Sequence, residues 1–170
     1  DPASAADGAR DQREGRLVEA IDLIPTFIDA LGGEIPEHIL EGRSLAPLLH
    51  GQSPKEWRDY VVSELDYAYT WCRRDLGLKP DEAQATMLRT ENWKYIHHNC
   101  FQPQLFNLAE DPEEFHDLGS DPGYQNKVGE MAEQMFQWFS NRKSRTTLSN
   151  EAIEARTAAF WDRGVQFGQW

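Results

Sequence analysis

Ala85-Thr86-Met87-Leu88-Arg89-Thr90-Glu91-Asn92-Trp93-Lys94-Tyr95-Ile96-His97-His98 is the stretch that decides the fold. Residues at home in strands cluster on both sides of Thr90-Glu91-Asn92, which predicts strands Ala85–Arg89 and Trp93–His98 joined as a hairpin. A lone hairpin is marginal in water and needs further strands or a covering helix. Both are legible nearby. A strand is predicted at about Tyr60–Tyr67 and another at Gln104–Asn107. A short helix and a turn at Pro80 fill residues 68–83. Asp121-Pro122 reads as a helix start, an Asp cap with Pro in the first position. Val128, Met131, Ala132, Met135, Phe136 and Phe139 then follow helical spacing. The spacing predicts a helix from about Gly123 to Asn141. The fold class is therefore α+β: a small antiparallel sheet of about four strands with a long helix across one face.

The flanks carry weaker signals. Residues 1–15 are small and polar and read as a loop or linker. Arg16–Ile21 reads as a short strand. Asp22 then offers an acceptor to the first free amides of a helix, with Pro25 in its third position. Leu23, Ile24, Phe27, Ile28 and Leu31 form its apolar face, and Gly32-Gly33 supply a left-handed stop. Leu45–Leu49 reads as a helical turn stopped at Gly51. Ser53-Pro54-Lys55-Glu56 reads as a capping-box start. Asp111-Pro112-Glu113-Glu114 reads as a second helix start of the Asp-Pro kind. Ser149 opens a last helix to about Phe160, with Glu151 near its positive end, and an apolar tail closes the chain.

A chain of 170 residues is long enough for a real core. Six tryptophans and eight phenylalanines imply that much of the surface is packed against something. The net charge of −12 repels phosphates, so nucleic acid and anionic membranes are excluded as expected partners. An anionic substrate would need local cations or a metal. No apolar run approaches the roughly 18 residues of a membrane span. Two cysteines without metal spacing suggest a reduced, cytoplasmic setting, with a single disulfide as the other possibility. The chain begins with Asp1 rather than Met, which suggests processing or excision from something longer.

A self-sufficient active site is not apparent. There is no Gly-rich phosphate loop, no HExxH and no GxSxG. His97 and His98 are adjacent on a strand and point to opposite faces, so one metal would not readily take both. One could line a pocket, while the plainer assignment is one packed and one exposed imidazole. Tyr67, Tyr69 and Trp71 alternate after a strand carrying Glu64 and Asp66, and could rim a substrate mouth or serve as core or interface. Cys72 and Cys100 read as buried apolar fillers. The run Glu110, Asp111, Glu113, Glu114, Asp117 and Asp121 lacks the ligand spacing of a calcium loop and reads as helix caps and solvated surface.

Several segments together resemble a known family. Val18–Gly32 resembles the "vDl-x-PT-x-x-x-x-x-G" segment that closes the catalytic domain of sulfatases. Glu41-Gly42-Arg43-Ser44-Leu45-Ala46-Pro47-Leu48-Leu49 resembles their "GrSLxPlL" element. Met87–Ile96 resembles the "xlRtxxwKYi" hairpin. Gln104–Leu108 with Asp111–Leu118 resembles "eLYdLxxDPxExxNL". Arg145–Ser149, Ile153-Glu154, Thr157 and Gly164–Trp170 resemble the tail of phosphonate monoester hydrolases, members of the alkaline phosphatase superfamily.

The resemblance implies a layout. Residues 1–52 would end the α/β catalytic domain, 53–141 would form the C-terminal sheet-and-helix subdomain, and 142–170 a C-terminal extension. It implies a parent hydrolase of phosphonate monoesters, phosphodiesters or sulfate esters that uses a divalent metal and a formylglycine made in a Cys/Ser-x-Pro-x-Arg motif. Neither Cys72-Arg73-Arg74 nor Cys100-Phe101-Gln102 fits that motif, so no catalytic or metal position carries over. The implied partners are the upstream catalytic domain and a second copy of the chain. Phe160, Trp161, Phe167 and Trp170 are the candidate oligomer contacts.

Overall fold

The computed structural model describes residues 9–143 and 147–161, with side chains up to residue 155 in the second stretch. The elements in chain order are α1 (Leu23–Ala30), α2 (Ala46–Leu49), β1 (Tyr60–Asp66), α3 (Trp71–Asp75), β2 (Gln84–Thr90), β3 (Trp93–His98), β4 (Gln104–Asn107), α4 (Gln125–Asn141) and α5 (Asn150–Trp161). The chain divides into two compact units. One joins Asp11–Glu19 to Ser53–Asn141. The other is built on Ala20–Gln52 with the described residues from Arg142 onward.

The larger unit is the expected sheet with its helix. Its four strands run in the order β1-β2-β3-β4 and every neighbouring pair is antiparallel. The register places Val62 opposite Leu88, Leu88 opposite Tyr95, and Tyr95 opposite Leu105. Strand side chains alternate between faces, so this row shares one face. Met131 and Met135 of α4 pack on it, and these two with Leu88, Tyr95 and Leu105 form the buried core. They lie four apart, one helical turn, which puts both on the same helix face. Phe136 falls off that face, Phe139 continues it one turn on, and both are exposed. Asp121 accepts a hydrogen bond from the Gly123 amide at 2.8 Å, and a 3-10 turn at Pro122–Tyr124 leads into α4. Trp93 closes one end of the core against Tyr124, with ring centroids 6.1 Å apart, and the Lys127 ammonium sits 5.4 Å from the Trp93 ring.

Both outer strands of the sheet receive a carboxylate. Glu19 accepts from the Val62 amide at 2.8 Å while pairing with Arg58 at 2.7 Å. Asp117 accepts from the Leu105 amide at 3.0 Å and from the Gly119 amide at 2.8 Å. Gly119 tolerates no side chain, because a Cβ would fall 2.1 Å from the Pro103 carbonyl oxygen.

Four local expectations fail, each because a side chain finds a different partner. Arg16–Ile21 forms no strand. The Leu17 carbonyl accepts from the Trp57 indole at 2.8 Å, Glu19 is drawn to β1, and Ala20–Asp22 close a 3-10 turn. Asp22 does not cap α1, because its carboxylate accepts from the Arg43 amide at 2.8 Å. Ser53–Glu56 starts no helix, and the Ser53 hydroxyl accepts from Arg16 instead. Asp111-Pro112 starts a turn rather than a helix. The Asp111 carboxylate accepts from the His116 amide at 2.8 Å, Glu114 takes a left-handed φ of 61°, and Lys94 holds Glu114 at 2.6 Å. A positive φ at a non-glycine residue breaks helical propagation.

The smaller unit has a polar centre. Asp22, Pro25 and Thr26 are its buried residues in α1 and the turn before it. The Thr26 hydroxyl donates to the Asp22 carbonyl at 2.6 Å and accepts from the Leu45 amide at 2.8 Å. A Cβ on Gly42 would lie 2.2 Å from the Ile21 carbonyl oxygen, so the Glu41–Leu49 segment needs glycine there to lie so close. Gly32, at φ 71°, ends α1 as predicted, with the Gly33 amide donating to the Ile28 carbonyl at 2.9 Å. The predicted apolar face, by contrast, is turned outward. Leu23, Ile24, Phe27 and Leu31 are exposed, Leu31 at 87%, and Ile28 is half-buried. Farther on, Lys143 donates its ammonium to the Glu37 and Leu40 carbonyls and its amide to Glu41. Ser149 caps α5 by accepting from the Ala152 amide at 3.2 Å. The Glu151 carboxyl is held below its ordinary range by its own backbone amide and by the Ser149 hydroxyl.

Leu88→Ala is expected to destabilise the larger unit by about 2–5 kcal/mol through the cavity it leaves. Exposed Phe115→Ala should stay within about 0.5 kcal/mol of the parent in the same urea titration. Asp22→Ala removes the acceptor of the part-buried Arg43 amide and should cost about 1 kcal/mol, read as faster hydrogen exchange at Arg43 with Leu105 unchanged. Asp111 is depressed chiefly by the hydrogen bond from the His116 amide. Its ionised form is thus favoured by the fold, so its contribution is present above its ordinary value of 3.8 and lost as pH falls through the lower folded value. Exchange at the His116 amide should accelerate on acidification across that window, and Asp111→Asn should abolish the pH dependence.

Candidate functional site

The candidate residues named from sequence converge on one end of the sheet. Tyr67 follows β1, Tyr69 and Trp71 lie in the connection from β1 to β2, and His97-His98 end β3. Thr86 of β2 faces Glu64 on one side and His97 on the other, in one row across three strands. Ala85 faces Leu65 and His98 in the next row, on the opposite face. The Tyr67 amide donates to the Ala83 carbonyl at 2.9 Å, which extends the pairing beyond β1.

The two histidines separate as strand geometry requires. His97 is exposed. His98 is half-buried, with Nε2 3.1 Å from the Gln104 side-chain oxygen and its ring edge-on to Phe101 at 6.3 Å. Among the described residues, no three His, Cys, Asp or Glu side chains gather as metal ligands. No catalytic step through a metal is therefore assigned to these residues. No helix among them is long and apolar enough to cross a membrane.

The connection of residues 67–83 is far longer than the roughly two to five residues that join adjacent antiparallel strands. It is also tightly built. Arg73 spans it, donating from Nε to the Ala68 carbonyl at 2.7 Å and from Nη1 to the Leu78 carbonyl at 2.8 Å. The Thr70 hydroxyl donates to the Tyr67 carbonyl at 2.8 Å. Gly77, at φ 70°, ends α3, and its amide donates to the Arg74 carbonyl at 3.0 Å. The Lys79 amide donates to Glu82 at 2.8 Å. Sequence reasoning passed over Arg73, although an arginine inside a loop with a fixed fork of donors was the available signal.

This scaffold displays its aromatics outward. Tyr69 is fully exposed and Trp71 is 73% exposed, so neither is core. Tyr67 is half-buried, and desolvation pushes its phenol above the ordinary value, with the Cys72 and Cys100 thiols adding to the rise. Both cysteines are free thiols. Cys100 is exposed and Cys72 half-buried, so neither is the buried filler expected. The Phe160 and Trp161 side chains, with Phe167 and Trp170, lie outside the described residues.

Comparison with known proteins gives this geometry a family. Residues 5–141 match the family model described as N-sulphoglucosamine sulphohydrolase, C-terminal. The multifunctional alkaline phosphatase superfamily protein PehA of Trinickia caryophylli is 34% identical over 138 residues, covering 79% of this chain and 27% of that protein. Arylsulfatase K of Xenopus laevis is 30% identical over 162 residues, covering 94% of this chain and 27% of that one. The crystal structure of the phosphonate monoester hydrolase of Agrobacterium radiobacter superposes with a TM-score of 0.68 at 32% identity, over 78% of this chain and 27% of that chain. This chain thus spans about a quarter of the length of these relatives. It belongs to the sulfatase C-terminal domain family, akin to the phosphonate monoester hydrolases and arylsulfatases of the alkaline phosphatase superfamily.

Proposed function

We propose that this chain is the C-terminal part of a metal-dependent hydrolase of phosphonate monoesters, phosphodiesters or sulfate esters. The nucleophile and the metal ligands belong to an upstream α/β catalytic domain. This part covers that domain and lends the rim of the substrate mouth from Tyr67, Tyr69, Trp71, His97 and His98. The reading is supported above all by α1, whose buried residues are a polar node and whose leucine, isoleucine and phenylalanine side chains face outward. Burying a Leu, Ile or Phe side chain is worth about 1.5–3 kcal/mol. A helix that leaves several exposed is suited to finishing the core of a larger body.

The free thiols fit a reducing, cytoplasmic setting. The C-terminal tail, with Phe160, Trp161, Phe167 and Trp170, is proposed as the contact between copies of the hydrolase. Light scattering on forms with and without residues 142–170 tests that assignment, and an unchanged mass would remove it.

Co-expression of this chain with an α/β catalytic segment encoded ahead of it provides the main test. A one-to-one complex that hydrolyses a nitrophenyl phosphonate or sulfate is expected. Ile24→Asp with Phe27→Asp should weaken association at least about tenfold, roughly 1.4 kcal/mol. Hydrolysis by the 170 residues alone after repurification, or a double variant that associates normally, would overturn the proposal.

A further inference from the structure

We infer that Lys143 is a releasable strap: its ammonium and backbone amide fasten the C-terminal extension to the turn of residues 36–41, so that α5 is seated while residue 143 carries its charge and comes free when that charge is lost. The inference rests on the reading of the extension as the contact between copies, and names Lys143 as the residue that positions it.

Three observations carry it. The first is geometry. The Ile39 and Leu40 amides donate to the Pro36 carbonyl at 2.9 and 3.1 Å, so residues 36–40 make one helical turn. Such a turn leaves its last carbonyls pointing off its C-terminal end, where a cation is favoured. Lys143, 102 residues beyond Glu41, supplies that cation. Its ammonium donates to the Glu37 carbonyl and, at 2.6 Å, to the Leu40 carbonyl. Its amide donates to the Glu41 carboxylate at 2.6 Å. The second is that the same turn meets the extension again in α5. The Glu151 carboxyl is lowered chiefly by its own backbone amide and the Ser149 hydroxyl, and further by His38. His38, half-buried in the turn, thus lies within electrostatic reach of the first turn of α5. The third is what α5 lacks. None of the side chains of residues 150–155 is buried, and the apolar residues of this helix gather on no one face. An apolar stripe is what normally seats a surface helix. A helix of 12 residues is marginal alone in water. The seat of α5 is therefore polar, and exposed polar contacts are weak enough to open.

Hydrogen exchange on the whole chain tests the strap, read at the Ile39 and Leu40 amides of the turn and the Ile153 amide of α5. Lys143→Met keeps the length of the side chain and removes its charge. It should speed exchange at all three amides by about fivefold, the scale of partly exposed hydrogen bonds from a charged group. Lys143→Arg keeps the charge and the donors and should stay within about twofold of the parent. Exchange at Leu105 should be unchanged in both, which shows that the variants fold. Unchanged exchange in Lys143→Met would overturn the inference, and so would an equal acceleration in Lys143→Arg. Faster exchange at Ile39 and Leu40 with Ile153 unmoved would overturn it as well, because Lys143 would then bond the turn without seating α5. Light scattering separates the strap from the contact between copies. A lower mass is expected both on removing residues 142–170 and in Lys143→Met. An unchanged mass on removal would end the copy-contact reading and leave the strap supported by the exchange result. A mass that falls on removal but not in Lys143→Met would keep the copy contact and overturn the positioning role of Lys143.

Discussion

The larger unit depends on two methionines of α4 lying across Leu88, Tyr95 and Leu105. This helix covers one face of the four-stranded sheet, where its two methionines are buried, while Ala85 and Phe106 of the other face are buried as well. Methionine suits the task because its unbranched, polarisable chain fills the uneven ground between a tyrosine and two leucines. With that face closed, the far end of the sheet is free to carry the 67–83 connection and the two histidines. The stable part and the displayed part thus occupy opposite ends of the same strands.

The smaller unit follows a different logic. Its buried groups are the Asp22 carboxylate and the Thr26 hydroxyl, which satisfy the amides of Arg43 and Leu45. Buried polar groups that are fully bonded fix geometry more than they supply stability. They hold the Glu41–Leu49 segment beside α1, while Leu23, Ile24, Phe27 and Leu31 stay exposed.

The sheet was legible in the sequence because its signals are periodic and mutually consistent. The hairpin at 85–98, the strands on either side and the spacing of Met131 and Met135 all point to one arrangement, and it formed. The failures at Arg16–Ile21, Asp22, Ser53 and Asp111 share a cause. Each is a short polar signature whose side chain has several possible partners, and a partner distant in sequence, or across a tight turn, won. Nothing local marks Glu19 for Val62 or Asp22 for Arg43. The apolar stripe of α1 was read correctly as a stripe, but periodicity does not reveal whether its cover lies in the same compact unit. The aromatics at 69 and 71 were ambiguous for a related reason: alternation cannot separate core from display until the loop that carries them is seen. The family segments resolved what spacing could not, since their order along the chain is itself information.

The carboxylates at the two outer strands have a further consequence. An open sheet normally offers its outermost amides to any passing strand, and proteins must block that invitation to stay soluble. Here Glu19 occupies the Val62 amide and Asp117 the Leu105 amide, one on each side. The ladder is therefore finite by chemistry as well as by length. A second copy meeting either edge therefore finds one of its amides already taken, which works against strand-to-strand fusion.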